Sequence, residues 1–289
     1  MPTLEISGSR FEYLEQGRGA PVILLHGTGG ASTQWRALAE RLSARYRVIA
    51  PDLYGYGASA PWPGRKAFAL DCEAEIVFAL LTRFGGRAHL VGHSYGGAVA
   101  LQVARSRGDS LSSLTLIEPV AFHLLKETDA PIVAEITEVA DSLARALERG
   151  EYVAGFELFF DYWNGPQAWT QVPEDKRCAM ATRFPKVMLD FHATFNEPTR
   201  LEDFRALAVP TLLMCGTRSP SPARRICELL AGTLPAVRLK TIEGAGHMAP
   251  VTHPEPVNAM ILAHLDSISG HPSRRHAVAE TFPEGIPQA

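Results

Sequence analysis

The strongest chemical signal in the chain is a serine placed between glycines. Residues 92–96 read Gly-His-Ser-Tyr-Gly and match the pattern G-x-S-x-G, with Gly97 directly after it. A short apolar stretch predicted as a strand precedes the pattern, and a predicted helix follows it. Glycines flanking a serine on so tight a turn avoid collisions between strand and helix. The pattern predicts Ser94 as a nucleophile; the alternative is a glycine-rich phosphate-binding turn with an incidental serine.

A serine nucleophile needs a general base, and one histidine stands out among the ten in the chain. His247 lies in the small-residue loop Gly-Ala-Gly-His-Met, which follows the last predicted strand. Small neighbours let its ring reach over the edge of the sheet to Ser94. We predict that His247 is the base, with His253 as the alternative. His26 and His93 are predicted to support the turns around the site.

Acyl transfer also needs hydrogen-bond donors for the oxyanion. The turn His-Gly-Thr-Gly at residues 26–29 ends an earlier predicted strand and can supply one backbone N–H. We predict an oxyanion hole made by the backbone amides of Thr28 and Tyr95, with Gly29 as the donor if the turn differs by one residue. A plain tight turn that uses glycines for positive φ is the alternative, and it is compatible with this role.

Predicted strands and helices alternate in both the first and the last part of the chain. After a hairpin around Gly8, strands are predicted at residues 21–25, 47–50, 88–91, 111–117, 210–215 and 237–242. Helices are predicted at residues 34–46, 67–84, 98–105, 222–231 and 256–265. This alternation predicts an α/β fold, with a mostly parallel central sheet and helices on both faces.

The alternation stops between residues 119 and 206, where apolar residues recur at helical spacing and no strand is predicted. We therefore assign residues 1–118 and 207–268 to an α/β core and residues 119–206 to an inserted helical cap. Residues 269–289, which carry little apolar content, are predicted to be a mobile tail. The cap is rich in aromatic side chains, and an aromatic cap over a nucleophile implies an apolar substrate pocket.

With Ser94, His247 and the glycine turns in this order, the chain resembles the α/β-hydrolases with a helical cap, over residues 1 to 268. The resemblance implies a carboxylate that orients the histidine, usually after the strand that ends here at Cys215. The sequence departs from that pattern, because Ser219 stands where the family commonly has an aspartate. Some members, the haloalkane dehalogenases among them, carry the acid one strand earlier, at the position of Glu118 here.

A glutamate at the end of a buried strand is destabilising unless it is paired, which favours a functional role for Glu118. The role requires a carboxylate that accepts the second ring N–H of His247 and stabilises the imidazolium. We predict that Glu118 completes a triad with Ser94 and His247. The alternative is a glutamate turned to solvent or paired with a cap arginine, and Asp190 and Asp203 are poorer candidates for the acid.

The nucleophile type narrows the reaction that the resemblance implies. Haloalkane dehalogenases and epoxide hydrolases attack with an aspartate, whereas this chain has Ser94. Serine favours acyl-enzyme formation, so we expect hydrolysis of a small to medium, largely apolar carboxylic ester. A carbon–carbon bond hydrolase or a cofactor-free peroxidase-like hydrolase would use the same residues. A small-molecule receptor with slow turnover is the alternative outside enzymes.

Composition limits the partners of the chain. Its 289 residues carry a formal charge of −3 and a pI near 6.4, so no basic field favours nucleic acid. The sequence has neither a leader pattern nor an apolar run near eighteen residues, and we expect a soluble cytoplasmic protein without membrane insertion. Four scattered cysteines suggest reduced thiols and no metal cluster. The predicted chemistry requires no metal or organic cofactor. We expect a small-molecule substrate, and the sequence does not determine the oligomeric state.

Overall fold

The computed structural model describes residues 1–126 and 130–270. Its centre is one eight-stranded sheet with the order β1-β2-β4-β3-β5-β6-β7-β8. The strands are β1 (Thr3–Ile6), β2 (Ser9–Gln16), β3 (Ala20–Leu25), β4 (Tyr46–Pro51), β5 (Ala88–His93), β6 (Leu111–Ile117), β7 (Thr211–Gly216) and β8 (Val237–Ile242). The first two pairings, β1 with β2 and β2 with β4, are antiparallel, and all the others are parallel. The predicted α/β fold with a mostly parallel sheet is confirmed.

Helices occupy the connections between the parallel strands. In the core they are α1 (Arg36–Leu42), α2 (Leu70–Arg83), α3 (Tyr95–Arg107), α8 (Ser221–Thr233), α9 (Ala249–Thr252) and α10 (Pro254–Ser269). Between β6 and β7 lie α4 (Ala130–Glu148), α5 (Tyr152–Asn164), α6 (Glu174–Ala181) and α7 (Phe184–Phe195). The described part of the helical cap contains helices and no strand, as predicted. Its limits and those of the core, as assigned from sequence, stay predictions.

Two helix boundaries differ from the predicted ones for identifiable reasons. The helix predicted to reach residue 46 ends at Leu42, because Tyr46 begins β4 and pairs with Ala20 of β3. The helix predicted to begin at residue 98 begins at Tyr95. Glycines weaken helix prediction, but Gly96 belongs to α3 here because only a residue without a side chain fits at that point.

The central strands are buried on both faces, so successive residues of one strand belong to different halves of the core. Ile23 and Leu25 of β3 pack in the cluster that includes α2 and α3. Val22 and Leu24 pack on the other face, in the cluster that includes α1 and α10. This two-sided burial explains why the strand reads as a continuous apolar run, and it holds the carboxyl ends of β5 and β6 rigidly beside each other.

The C-terminal helix α10 ends at Ser269, and Gly270 follows it in a left-handed conformation with φ 68°. Nearly all of the predicted tail, residues 271–289, lies outside the described residues. Within the described ranges, no helix is long and apolar enough to cross a membrane.

The close approach of α3 to β3 predicts the effect of a single methyl group. A Cβ on Gly96 would lie 2.4 Å from the carbonyl oxygen of Leu25, so Gly96→Ala should lower the free energy of unfolding by about 1–3 kcal/mol. The control Gly232→Ala adds the same group to α8 in open space and should raise it by about 0.5–1 kcal/mol. Urea unfolding measures both values. Equal effects of the two substitutions would contradict the close approach.

Candidate active site

Ser94 occupies the junction between β5 and α3 in a conformation that side-chain-bearing residues rarely adopt. Its φ is 54° and its ψ is −119°. Hydrogen bonds hold the residue there: its N–H donates to Ile117 O at 2.9 Å, and its carbonyl accepts the N–H groups of Gly97 and Ala98. A Cβ on Gly92 would lie 2.2 Å from Gly96 O, so the strand and the helix pass too closely for any side chain at that position. The turn therefore presents Ser94 Oγ above the end of the sheet.

His247 lies in the loop after β8 and bridges Ser94 to a carboxylate. Its Nε2 is 2.9 Å from Ser94 Oγ, and its Nδ1 is 2.7 Å from Glu118 Oε2. Because a carboxylate only accepts hydrogen bonds, we assign the proton to Nδ1, which leaves Nε2 to accept the serine hydroxyl. The ring is 1% exposed, and the ring of Trp163 from α5 lies over it at a centroid distance of 4.0 Å. The structure does not bring His253 to Ser94; its ring bonds Thr252.

Glu118 follows β6 directly and is fully buried, with a positive φ of 45°. Besides His247, two further groups donate to it: the Ser219 hydroxyl and the Gly216 N–H each lie 2.5 Å from Oε1. Burial raises the pKa of Glu118, but these three hydrogen bonds outweigh burial and hold the pKa below its ordinary value. The glutamate is thus not exposed, and no arginine of the described residues pairs with it. Asp203 lies apart, where it accepts the backbone N–H of Arg200.

Ser219 is a site residue whose contribution was not predicted. In the sequence it is visible only as a departure from the pattern of related hydrolases, yet its hydroxyl bonds the carboxylate of Glu118, the predicted acid of the triad. Its position in the loop after β7 was the available signal. A small hydroxyl there leaves room for a glutamate reaching across from β6, whereas a second carboxylate would repel Glu118.

Thr28 and Tyr95 both line the small cavity beside Ser94, together with side chains of the cap. Tyr95 is the first residue of α3, so its N–H is one of the amides that a helix leaves without an intrahelical partner. Thr28 belongs to the turn closed by the bond from Gly30 N–H to Gly27 O at 3.0 Å. This turn passes Ser94 closely, since a Cβ on Gly27 would be 3.2 Å from Ser94 Cβ. The role of the two amides as oxyanion donors stays a prediction.

Two buried histidines brace the loops around the site. Burial lowers the pKa of His26 to about 4 and that of His93 to about 3, so both are neutral at pH 7. His26 contacts Gly27 O at 2.8 Å and accepts the Leu53 N–H at 3.1 Å. His93 Nε2 lies 2.9 Å from His247 O. His93 thereby ties the elbow to the backbone of the candidate base.

A buried charge cluster that was not predicted joins the cap to the core beside the site. Lys186 from α7 forms ion pairs with Asp190, one turn along, and with Glu73 of α2 at 3.1 Å. Asp190 also accepts the hydroxyls of Tyr56 at 2.6 Å and Thr28 at 2.9 Å. Burial raises the pKa of Glu73 to about 7, against the attraction of Lys186, and it also raises the pKa of Asp190. Lys186 and Asp190 are one turn apart on α7, but Glu73, Tyr56 and Thr28 lie far from them in sequence, so no local pattern predicts the cluster.

Comparison with known proteins places the chain in a family. Residues 22–260 match the model of the alpha/beta hydrolase family, which is more than three quarters of the chain. The chain therefore belongs to the alpha/beta hydrolase family, and it is a hydrolase by that membership.

Its relatives differ in length and in the activity that their names describe. The chain is 30% identical over 270 residues to the polyketide synthase ThaQ of Burkholderia thailandensis, covering 90% of this chain and 12% of the synthase, about an eighth of that relative's length. It is 25% identical to the (E)-2-((N-methylformamido)methylene)succinate hydrolase of Acinetobacter baylyi, covering 92% and 98% of the two chains. The structure of a thermophilic esterase from Thermogutta terrifontis superposes with a TM-score of 0.68 at 26% identity, covering 92% and 97%.

The hydrogen bond from Ser219 to Glu118 predicts a pH-dependent loss of stability. A carboxylate whose folded pKa is depressed contributes stability above its unfolded pKa and loses it as the pH falls through the folded pKa. Ser219→Ala should therefore lower the free energy of unfolding by about 1.5–3 kcal/mol at pH 7. The deficit should shrink below the ordinary glutamate pKa of 4.5.

Urea unfolding at pH 7 and pH 3.5 measures this change, and Ser221→Ala, at the first position of the following helix α8, is the control. A deficit of the same size at both pH values would mean that Ser219 acts through packing alone.

Glu73 predicts a pH dependence of the opposite sign. Its folded pKa of about 7 exceeds its ordinary value of 4.5, so between these values the folded state holds a proton that the unfolded state has lost. Stability therefore falls as the pH rises through this window. Glu73→Gln cannot ionise, and its free energy of unfolding should rise relative to the native protein by at most about 1.4 kcal/mol per pH unit between pH 4.5 and 7.

Chemical denaturation across this range measures the two curves. The control Glu75→Gln removes an exposed carboxylate from the same helix and should run parallel to the native protein. Parallel curves for Glu73→Gln would show instead that Glu73 is ionised in the fold at pH 4.5.

Proposed function

We propose that the chain is a serine carboxylic-ester hydrolase that acts on a small to medium, largely apolar ester through a Ser94-His247-Glu118 triad. The continuous hydrogen-bonded relay carries the proposal: Ser94 Oγ to His247 Nε2 at 2.9 Å, and His247 Nδ1 to Glu118 Oε2 at 2.7 Å. These contacts meet the geometry that a nucleophile, a base and an orienting acid require.

The first half-reaction follows from the relay. Ser94 Oγ attacks the ester carbonyl carbon while His247 Nε2 takes the hydroxyl proton, and the carbonyl oxygen gains the charge. The amides of Thr28 and Tyr95 stabilise this oxyanion. Glu118 stabilises the imidazolium and stays ionised, in keeping with its depressed pKa. His247 then gives the proton to the leaving alkoxide, the C–O bond breaks, and the acyl group remains on Ser94.

The second half-reaction uses the same groups with water as the nucleophile. His247 removes a proton from the water as it attacks the acyl carbon, and the tetrahedral intermediate again places its charge on the carbonyl oxygen. Proton return to Ser94 Oγ breaks the acyl–oxygen bond and releases the acid. In each half-reaction His247 accepts one proton and returns it, and neither half-reaction needs a metal or a cofactor.

Two observations support an ester as the substrate. Aromatic and apolar side chains of the cap, with the glycine turn, line a cavity of about 250 Å³ beside Ser94, which suits an apolar group with few charges to satisfy. The thermophilic esterase from Thermogutta terrifontis is similar over nearly the whole chain. The rings of Phe156, Phe159 and Trp163 form much of the cavity wall.

Loss of the nucleophile and of the acid should have different signatures. Ser94→Ala should abolish labelling by a fluorophosphonate probe and the burst of nitrophenol from 4-nitrophenyl acetate. Glu118→Gln should keep the fold but lower kcat by about 10⁴-fold, because a neutral amide stabilises neither the required tautomer nor the imidazolium. The control Glu243→Gln changes an exposed glutamate in the loop that also carries His247, and this variant should keep native activity.

Near-native rates in Glu118→Gln would move the acid elsewhere. A native protein that resists the probe, hydrolyses no ester of a short-chain panel and binds a small apolar ligand tightly would be a receptor rather than an enzyme.

A further inference from the structure

The space around Ser94 is divided into two compartments of very different size. Both contain Ser94, Thr28, Phe159 and Trp163 in their walls. The larger compartment, of about 250 Å³, extends along Gly29, Phe156, Phe160, Met180, Met248 and Val251. The smaller, of about 10 Å³, is closed by Val120, Phe122, Asp190, Phe191 and Thr194. An ester bound at Ser94 must divide its two substituents between them.

The position of the base decides which substituent goes where. His247 is part of the wall of the large compartment and not of the small one. The proton that His247 takes from Ser94 has to be returned to the leaving oxygen, so that oxygen must lie within hydrogen-bond reach of Nε2. The alcohol therefore occupies the large compartment. The acyl group, on the opposite side of the carbonyl carbon, points into the small one.

The small compartment limits the acyl chain to very few atoms. With about 10 Å³, it has room for roughly one water molecule, so it suits a short acyl group such as acetyl better than a long one. The surrounding rings are packed together, with Phe122 at 5.7 Å from Phe191 and 5.0 Å from Phe195 between centroids. Close-packed side chains of this kind yield to an added methylene only at a cost in strain.

The polar wall of the small compartment is also held in place. The Asp190 carboxylate is 1% exposed and is bonded by Lys186, Tyr56 and Thr28. Because two of the three donors, Lys186 and Tyr56, are buried and Thr28 is half-buried, the carboxylate has little freedom to swing aside for a longer chain.

From this partition we propose that the preferred substrates are acetyl esters of apolar alcohols, with the acetyl methyl beside Val120 and the alkyl chain along the cavity under α5. The assignment rests on the proposed ester hydrolase function. The two compartments then contribute differently to specificity. The small compartment excludes long acyl groups, and the large compartment accepts many alcohols.

A pair of isomeric esters tests the assignment directly. Hexyl acetate and ethyl hexanoate have the same composition and carry the long chain on opposite sides of the ester. We expect kcat/KM for hexyl acetate to exceed that for ethyl hexanoate by at least 100-fold. Equal values, or a preference for ethyl hexanoate, would overturn the compartment assignment while leaving the hydrolase intact. Failure to hydrolyse either ester, with Ser94 unreactive to a fluorophosphonate, would overturn the hydrolase itself.

Two substitutions locate the selectivity within the cavity. Val120→Ala enlarges only the small compartment and should raise the kcat/KM ratio of hexyl propanoate to hexyl acetate by about tenfold. Met180→Ala enlarges only the large compartment and should leave this ratio unchanged, while it alters the preference among alcohols. Urea unfolding checks that both variants are folded. An acyl ratio that responds to Met180→Ala and not to Val120→Ala, or to neither, would place the acyl group outside the small compartment and overturn the proposal.

Discussion

A carboxylate that must remain ionised with no exposure to water is the constraint around which the site is built. Glu118 is fully buried, and burial by itself raises the pKa of the carboxyl and so favours the neutral acid. Three donors prevent this: the ring of His247, the hydroxyl of Ser219 and the N–H of Gly216. They come from the loop after β8, from the loop after β7 and from the last residue of β7, whereas Glu118 follows β6. One carboxylate thus ties together the carboxyl ends of three adjacent strands.

Hydrogen bonds at the same strand ends hold two residues of the site in strained backbone conformations. Ser94 and Glu118 are two of only four residues other than glycine with positive φ in the described part of the chain, and both belong to the relay. Each such residue costs about 1–3 kcal/mol and persists only where its surroundings determine it. Ser94 N–H bonds Ile117 O, and Glu118 N–H bonds Met214 O. The ladder between β5, β6 and β7 therefore continues into the two strained residues and holds them in register.

Sequence patterns predicted the parts of the site that depend on neighbouring residues in the chain. The elbow was predictable because glycines and an apolar strand surround Ser94 in sequence, and the order of strands brings the His247 loop to the same edge. The contact of Ser219 with Glu118 spans 101 residues, and that of Tyr56 with Asp190 spans 134. The first contact depends on how neighbouring strand ends meet in the core, and the second on how the cap packs against the core; periodicity encodes neither. Tyr46 shows that periodicity also fails at element boundaries. Its spacing from Leu42 fits one face of a helix, but Tyr46 pairs with Ala20 of β3 and belongs to β4.

The buried charges between cap and core are a costly way to hold two parts of a protein together. Apolar side chains of similar volume often stabilise a fold as well as a buried ion cluster does, so stability alone does not explain Lys186, Glu73 and Asp190. Apolar contacts, however, are not directional, whereas Asp190 has to sit where it accepts the hydroxyls of Tyr56 and Thr28 at once. The cluster thus fixes the orientation of α7 over the turn beside Ser94. Directional bonding at this point makes the shape of the small compartment, and hence the fit of an acyl group, depend on how the cap docks.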